Sequence, residues 1–201
     1  YYENGKVEDE YNYQYGTKHG ESISYFENGN VDNKMTYIDG EIHGGRSFYD
    51  IDGNLQLIRV YNHGTLIGYT YNDDKGSEKE MIPLNNGTGK ITAYYDNGKP
   101  SRTMEYKNGQ LTGKYKAYYY SGQLESELQY VDDKYNGEYT DYYKDGTVKN
   151  KYNYYLDELD GEVIKNYPNG KPKEILHYKN GERHGERKLY DENGKLTKKE
   201  Y

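Results

Sequence analysis

The chain of 201 residues has no cysteine and no tryptophan, only four prolines, and few aliphatic residues. Without cysteine it has no disulfide, no thiol nucleophile and no thiolate metal ligand. Hydrophobic residues make up 32% of the sequence, a share that includes 30 tyrosines, and alanine occurs only at Ala93 and Ala117. This composition excludes a helix bundle or an ordinary two-layer sandwich.

Long apolar runs and clustered basic residues are also missing. No apolar run approaches the roughly 18 residues that cross a bilayer, and no basic-then-apolar signal segment is present. The formal net charge of -7 argues against binding to the phosphate backbone of a nucleic acid, so we expect no nucleic-acid partner. Localisation stays open between the cytoplasm and the cell envelope after export.

Tyrosine and glycine, in contrast, are abundant and regularly spaced. A turn glycine recurs every 24 residues, except for one step of 45 residues that contains a shortened unit. This period predicts a stacked repeat array over residues 1–201, with an irregular unit at about residues 71–93. The turn glycines are Gly5, Gly29, Gly53, Gly98, Gly122, Gly146, Gly170 and Gly194, with Gly76 in the shortened unit.

Each unit has the pattern of a β-hairpin. Asn108-Gly109 lies between two alternating segments, and Asn-Gly favours a type I′ turn because both central residues need φ > 0. We therefore predict an all-β fold: an elongated, twisted, single-layer antiparallel sheet of about eight 24-residue hairpins. Two-residue loops at both turns pair Tyr106 with Leu111, Met104 with Gly113, and Pro100 with Tyr95.

This register places two tyrosine stripes on opposite faces of the sheet. The first stripe lies with the apolar residues and faces a nearly constant strand glycine, which leaves room for a side chain or marks a bulge. The second lies among charged residues just before each turn. The candidate partner-binding residues are Tyr61, Tyr106, Tyr130 and Tyr154 on the first face and Tyr94, Tyr118 and Tyr142 on the second.

The irregular unit breaks the pattern. Leu84 replaces the tyrosine, and Pro83 removes a backbone donor, which predicts a bulged, bent or imperfect strand. Either this unit only bends the sheet, or Asp73, Asp74 and the surrounding loop form a binding element.

Catalytic and metal-binding patterns are lacking. His19, His43 and His184 share one repeat offset, so they are copies of a repeat position, spaced at roughly 9.6 Å or more. The Asp50 to Asn54 segment lacks the full ligand series of a calcium loop. We expect no enzyme activity, no catalytic residue, no cofactor and no metal.

Three segments resemble the MORN repeat: Tyr94 to Lys99, Tyr106 to Gly113, and Tyr178 to Gly185. They are more similar to its bacterial variant, of the kind named YwqK-family antitoxin-like. The resemblance implies an extended sheet of hairpins used for protein contacts, scaffolding and self-association, and lipid binding has been proposed for the family. The 24-residue period and the broken unit at Pro83 depart from the usual repeat.

Two non-enzymatic functions fit these features. In the first, an antitoxin-like or immunity-type protein captures a protein partner on a tyrosine-rich face, since tyrosine is enriched at interface hot spots. In the second, a secreted or envelope-associated structural repeat protein self-assembles or binds glycans or lipid headgroups. Because arrays need capped ends, we also expect the terminal strands to be completed by further residues, a partner or another copy.

Overall fold

The computed structural model describes residues 1–201, and all of its regular elements are β-strands. None of its segments is a helix with the length and apolar character needed to cross a membrane. The predicted all-β fold of repeated antiparallel hairpins is confirmed. Contacts between residues divide the chain into two compact units, Tyr1–Gly109 and Gln110–Tyr201.

The first unit contains an antiparallel sheet of eight strands and, outside that sheet, two further strands that pair antiparallel with each other. In the sheet, consecutive hairpin strands are neighbours, and the short β4 pairs with β3. The strands are β1 (Asp9–Gln14), β2 (Thr17–Tyr25), β3 (Val31–Ile38), β4 (Glu41–Ile42), β5 (Gly44–Tyr49), β6 (Leu55–Asn62), β7 (Thr65–Thr70), β8 (Ile82–Pro83), β9 (Gly89–Tyr94) and β10 (Pro100–Lys107).

The second unit begins with one undivided strand, then repeats one pattern three times, a long outgoing strand followed by a return strand divided into two short pieces, and ends with a single strand. Its strands are β11 (Gln110–Tyr118), β12 (Leu124–Val131), β13 (Lys134–Tyr135), β14 (Gly137–Tyr142), β15 (Val148–Tyr155), β16 (Glu158–Leu159), β17 (Gly161–Asn166), β18 (Pro172–Lys179), β19 (Glu182–Arg183), β20 (Arg187–Tyr190) and β21 (Leu196–Glu200).

Two kinds of turn alternate along the chain. At Asn108-Gly109 both residues have positive φ, 52° and 82°, as predicted for a type I′ turn. The same backbone conformation occurs without an Asn-Gly sequence at Leu156 and Asp157, whose φ values are 48° and 75°. One edge of the array is therefore built from two-residue turns whatever their sequence.

The prediction of two-residue loops is wrong at the other set of turns. The Tyr95 N–H donates to the Lys99 carbonyl oxygen, and the Gly98 N–H donates to the Tyr95 carbonyl oxygen, both at 2.9 Å. The loop therefore has three residues, and Pro100 pairs with Tyr94 instead of Tyr95. The physical reason is that Gly98, at φ 78°, adds a left-handed third residue after a tight turn.

Of the two roles that the sequence suggests for the strand glycines, the structure supports the bulge. Between the Tyr130–Tyr135 pair and the Ser126–Asp141 pair, the return strand contains two extra residues, so the ladder is bulged beside Gly137. Each of these glycines is also the cross-strand partner of a first-stripe tyrosine, but what favours glycine there is backbone conformation: φ is 82° at Gly44 and 108° at Gly137, and a Cβ atom at Gly44 would meet nothing within 4 Å. These pairs are Gly20–Tyr37, Gly44–Tyr61, Gly113–Tyr130, Gly137–Tyr154 and Gly161–Tyr178.

The irregular unit forms a short, poorly paired strand, as expected from Pro83. Strand β8 has only two residues and pairs Pro83 with Gly68. A Cβ atom at Gly68 would lie 2.6 Å from the Ile82 carbonyl oxygen, so only glycine allows this close approach.

Beyond this segment the first unit is more than one layer thick. Side chains of β6 meet those of β9 and β10, and Leu57, Ile91 and Met104 are fully buried there. Gln56 Nε2 donates to the Tyr95 hydroxyl at 3.0 Å, and Arg102 Nε donates to Gln56 Oε1 at 2.9 Å. The largest fully buried aliphatic side chains of the first unit therefore lie in one place.

Candidate functional site

A cluster of tyrosine rings covers one face of strands β11 to β15. The register brings Tyr115 opposite Leu128, Tyr130 opposite Tyr135, and Tyr139 opposite Tyr152. Cross-strand partners project from the same face, so the aromatic side chains of neighbouring hairpins meet. We call the six rings the tyrosine cluster: Tyr115, Tyr130, Tyr135, Tyr139, Tyr152 and Tyr154.

The six rings form one continuous set of contacts. The ring centroids of Tyr130 and Tyr135 are 5.0 Å apart, and those of Tyr135 and Tyr154 are 5.2 Å apart. Tyr139 and Tyr152 lie at 5.4 Å, and Tyr115 joins the set through Tyr130 at 6.0 Å. These separations are typical of favourable tilted and offset aromatic pairs.

The tyrosine cluster is half-buried, and its environment favours neutral hydroxyls. Burial raises the pKa of Tyr139, and a hydrogen bond to Asp141 raises it further. Burial also raises the pKa of Tyr152 and of Tyr154. Asp141 lies at one margin of the cluster, where Asn150 Nδ2 donates to its Oδ2 at 3.1 Å. The face therefore offers uncharged aromatic surface with a carboxylate at its border.

The opposite face of the same strands is charged. Lys116 pairs with Glu127 at 3.3 Å, and Lys151 pairs with Glu138 at 3.4 Å. The second-stripe tyrosine Tyr142 belongs to this face and donates from its hydroxyl to Glu127 Oε1 at 2.8 Å. Burial, followed by this bond, raises the pKa of Tyr142 to about 12, while the bond lowers the pKa of Glu127.

The structure distributes the predicted first-stripe residues between different environments. Tyr130 and Tyr154 belong to the tyrosine cluster, and Tyr61 is a half-buried residue of β6 in the first unit. Tyr106 is only 7% exposed and lies with its ring 5.7 Å from the Arg59 guanidinium carbon. Two of these four candidates are thus brought together on one face.

The other second-stripe residues are less enclosed. Tyr94 is exposed, and its ring lies 5.5 Å from that of Tyr71. Tyr118 is half-buried at the end of β11. Their use in partner binding stays a prediction.

Asp73 and Asp74 lie in the turn that follows β7. Asp73 Oδ1 accepts the backbone N–H groups of Lys75 and Ser77, each at 2.9 Å, and thereby caps this turn. Asp50 uses the same arrangement, accepting N–H groups from Asp52 at 3.0 Å and Asn54 at 2.8 Å. Asp74 is exposed beside it.

Four members of the tyrosine cluster were not chosen from the sequence as site residues: Tyr115, Tyr135, Tyr139 and Tyr152. Tyr115 and Tyr139 each lie two residues after a strand glycine, Gly113 and Gly137. Since alternate residues of a strand share a face, counting on from these glycines places both rings on the tyrosine face.

Histidines approach more closely than the repeat spacing suggests, but they form no metal site. The rings of His43 and His63 are 4.8 Å apart, and the His63 N–H lies 3.4 Å from His43 Nδ1. In residues 1–201 no group of three or more histidine, aspartate or glutamate side chains is placed to hold a metal ion.

Comparison with known families explains the repeat. The family described as MORN repeat variant matches residues 18–39, 88–108, 111–132, 159–180 and 183–201, more than half of the chain. The chain belongs to this family. MORN repeats are non-catalytic modules that generally mediate protein or membrane-lipid interactions. No curated protein matches the chain.

Proposed function

We propose that this MORN repeat chain binds a protein partner through the tyrosine cluster of its second unit, as an antitoxin or immunity protein does. The single observation that carries the proposal is the unbroken contact of six half-buried rings on one sheet face. Tyrosine supplies a large contact area at a small entropy cost, because it has few rotatable bonds.

The surroundings of the cluster support a protein rather than a nucleic-acid partner. The cluster is bordered by Asp141, and the chain carries a net charge of -7, so an anionic polymer would be repelled. Aromatic side chains at the centre with polar groups at the margin are typical of protein interfaces.

The test uses two adjacent tyrosines that project from opposite faces. Tyr154 belongs to the cluster, and Tyr155 is 62% exposed on the other face. Proteins encoded beside this chain are purified, and binding is measured by calorimetry with the wild type, Tyr154→Ala and Tyr155→Ala. A hot-spot truncation costs about 2 kcal/mol or more, so we expect the Kd to rise at least about thirtyfold for Tyr154→Ala.

Tyr155→Ala should bind like the wild type. Circular dichroism verifies that both variants remain folded. Equal affinity of Tyr154→Ala and the wild type would contradict the proposal. Growth arrest by a toxic partner, relieved by the wild type but not by Tyr154→Ala, would establish the antitoxin-like role specifically.

A further inference from the structure

Three of the five arginines in this acidic chain converge on one phenylalanine in the first unit. The guanidinium carbons of Arg46, Arg59 and Arg102 lie 4.7, 4.6 and 5.3 Å from the centroid of the Phe48 ring. We call these side chains the arginine cluster. Phe48 itself is buried in β5, and the three arginines are half-buried.

The register makes this arrangement unfavourable without a counter-charge. Arg46 and Arg59 are direct cross-strand partners on β5 and β6. Like charges in directly opposed positions destabilise a sheet. Elsewhere in the first unit, cross-strand charges are complementary, as in the 3.7 Å pair between Lys90 and Glu105.

No carboxylate neutralises Arg46. It makes no ion pair, and its one hydrogen bond runs from Nη2 to Asn33 Oδ1 at 3.2 Å. Its buried Nε has no hydrogen-bond partner. Asp32 contributes only at longer range, and its carboxylate accepts from Asn33 Nδ2 at 3.2 Å. Burial, followed by the charge of Arg59, lowers the pKa of Arg46.

Stacking on Phe48 alone does not account for the cluster. A cation over a phenylalanine face is stabilised by about 0.5–1 kcal/mol at exposed sites and up to about 2 kcal/mol when desolvated. A single guanidinium group on the ring would obtain this stabilisation without being repelled by a second, like-charged guanidinium group. A buried donor without a partner, beside a second guanidinium, is the arrangement that a bound anion completes.

We infer that the arginine cluster binds a small oxyanion of the phosphate class, held between the guanidinium groups of Arg46 and Arg59 with Arg102 beside them. Guanidinium groups bind phosphate through paired N–H donors, which a lysine cannot reproduce. The half-buried position favours a small soluble anion over a phosphate displayed on a flat membrane. This inference does not rest on the proposed function.

The test titrates the full chain with inorganic phosphate, using calorimetry and amide chemical shifts, in chloride buffers of matched ionic strength. We expect saturable one-to-one binding. Arg46→Gln should weaken binding about tenfold or more, because one charge-assisted donor is lost. Arg183→Gln makes the same change in net charge at an exposed position of the second unit and should bind phosphate like the wild type.

Thermal unfolding gives a second measurement. Phosphate should raise the Tm of the wild type and of Arg183→Gln but not that of Arg46→Gln. If Arg46→Gln fails to fold, Arg46→Lys keeps the charge but loses the forked donors, and should still bind phosphate more weakly.

Two kinds of result would overturn the inference. One is the absence of saturable phosphate binding by the wild type at matched ionic strength, or equal binding by the wild type and the Arg46 variants. The other is binding to lipid without binding of inorganic phosphate. In that case the chain would cosediment, in a way that depends on Arg46, with vesicles of phosphatidylcholine and phosphatidic acid but not with vesicles of phosphatidylcholine alone. The second result would assign the arginines to a lipid headgroup.

Discussion

At the scale of single residues, tyrosine has three separate roles in this chain. First-stripe rings cluster on one face, as Tyr130 and Tyr154 do. Second-stripe hydroxyls bind carboxylates on the other face, as Tyr142 binds Glu127. A third set, at the beginning of the three-residue turns, donates to a backbone carbonyl 23 residues further along the chain, as Tyr143 does to Asn166 at 2.8 Å.

This third role predicts the effect of removing one hydroxyl. Tyr119 and Tyr167 make the same kind of bond. The Tyr119 hydroxyl donates to the Tyr142 carbonyl oxygen at 2.6 Å, and the Tyr167 hydroxyl donates to the Tyr190 carbonyl oxygen at 2.9 Å. Each bond connects turns of successive repeats. Tyr143→Phe leaves the Asn166 carbonyl without this donor, so we expect unfolding free energy to fall by about 1 kcal/mol in urea titrations.

The control is Tyr155→Phe, which removes a hydroxyl from a side chain that is 62% exposed. It should change stability by less than about 0.5 kcal/mol. Equal losses in both variants would show that the turn-to-turn bond does not stabilise the array.

At the scale of the element, the two turn types differ in how far sequence predicts them. Asn108-Gly109 identifies its turn because both residues tolerate positive φ. Leu156 has φ 48° although leucine disfavours this conformation, so the neighbouring strands impose the turn there. Asp157 also accepts the Tyr135 N–H through Oδ1 at 2.8 Å, which connects this turn to the preceding hairpin.

The strained turn predicts a stabilising substitution. Leu156→Asn keeps the turn and replaces a leucine that is 39% exposed with a residue that tolerates the left-handed region. We expect the free energy of unfolding to rise by about 1 kcal/mol in urea titrations. Leu196→Asn, at an exposed leucine without positive φ, should not stabilise the chain.

Pattern alone predicted the fold, the hairpin repeat and the membership of Tyr130 and Tyr154 in an aromatic face, because alternation and Asn-Gly turns are local signals. It did not identify Tyr139 as a member of the cluster, because the two extra residues beside Gly137 change which residues of β12 lie next to it. It also missed the convergence of Arg46 and Arg102, which depends on contact between strands far apart in sequence.

At the scale of the whole molecule, most contacts join strands that are close in sequence, as in repeat proteins. Stability in such an array is approximately a sum of repeat and neighbour terms. The first unit adds an exception around β6, where Arg59 Nη2 lies 3.4 Å from Met104 Sδ, although the two residues are 45 positions apart.

The two units should therefore respond differently to a cavity. Val163, which is 2% exposed in β17, contacts its hairpin neighbours, whereas the fully buried Met104 also contacts β6. Val163→Ala should cost about 2 kcal/mol and Met104→Ala about 2–5 kcal/mol.

Amide hydrogen exchange measures how far the destabilisation extends from each substituted residue. In Val163→Ala we expect faster exchange in β15, β17 and β18, with little change in β11. In Met104→Ala, protection should fall in β6 as well as in β9 and β10, because the contact between layers couples them, while β1 keeps its wild-type protection. Uniform loss of protection throughout the second unit of Val163→Ala would show that its hairpins unfold together. Unchanged protection of β6 in Met104→Ala would show that contact between the layers does not stabilise β6.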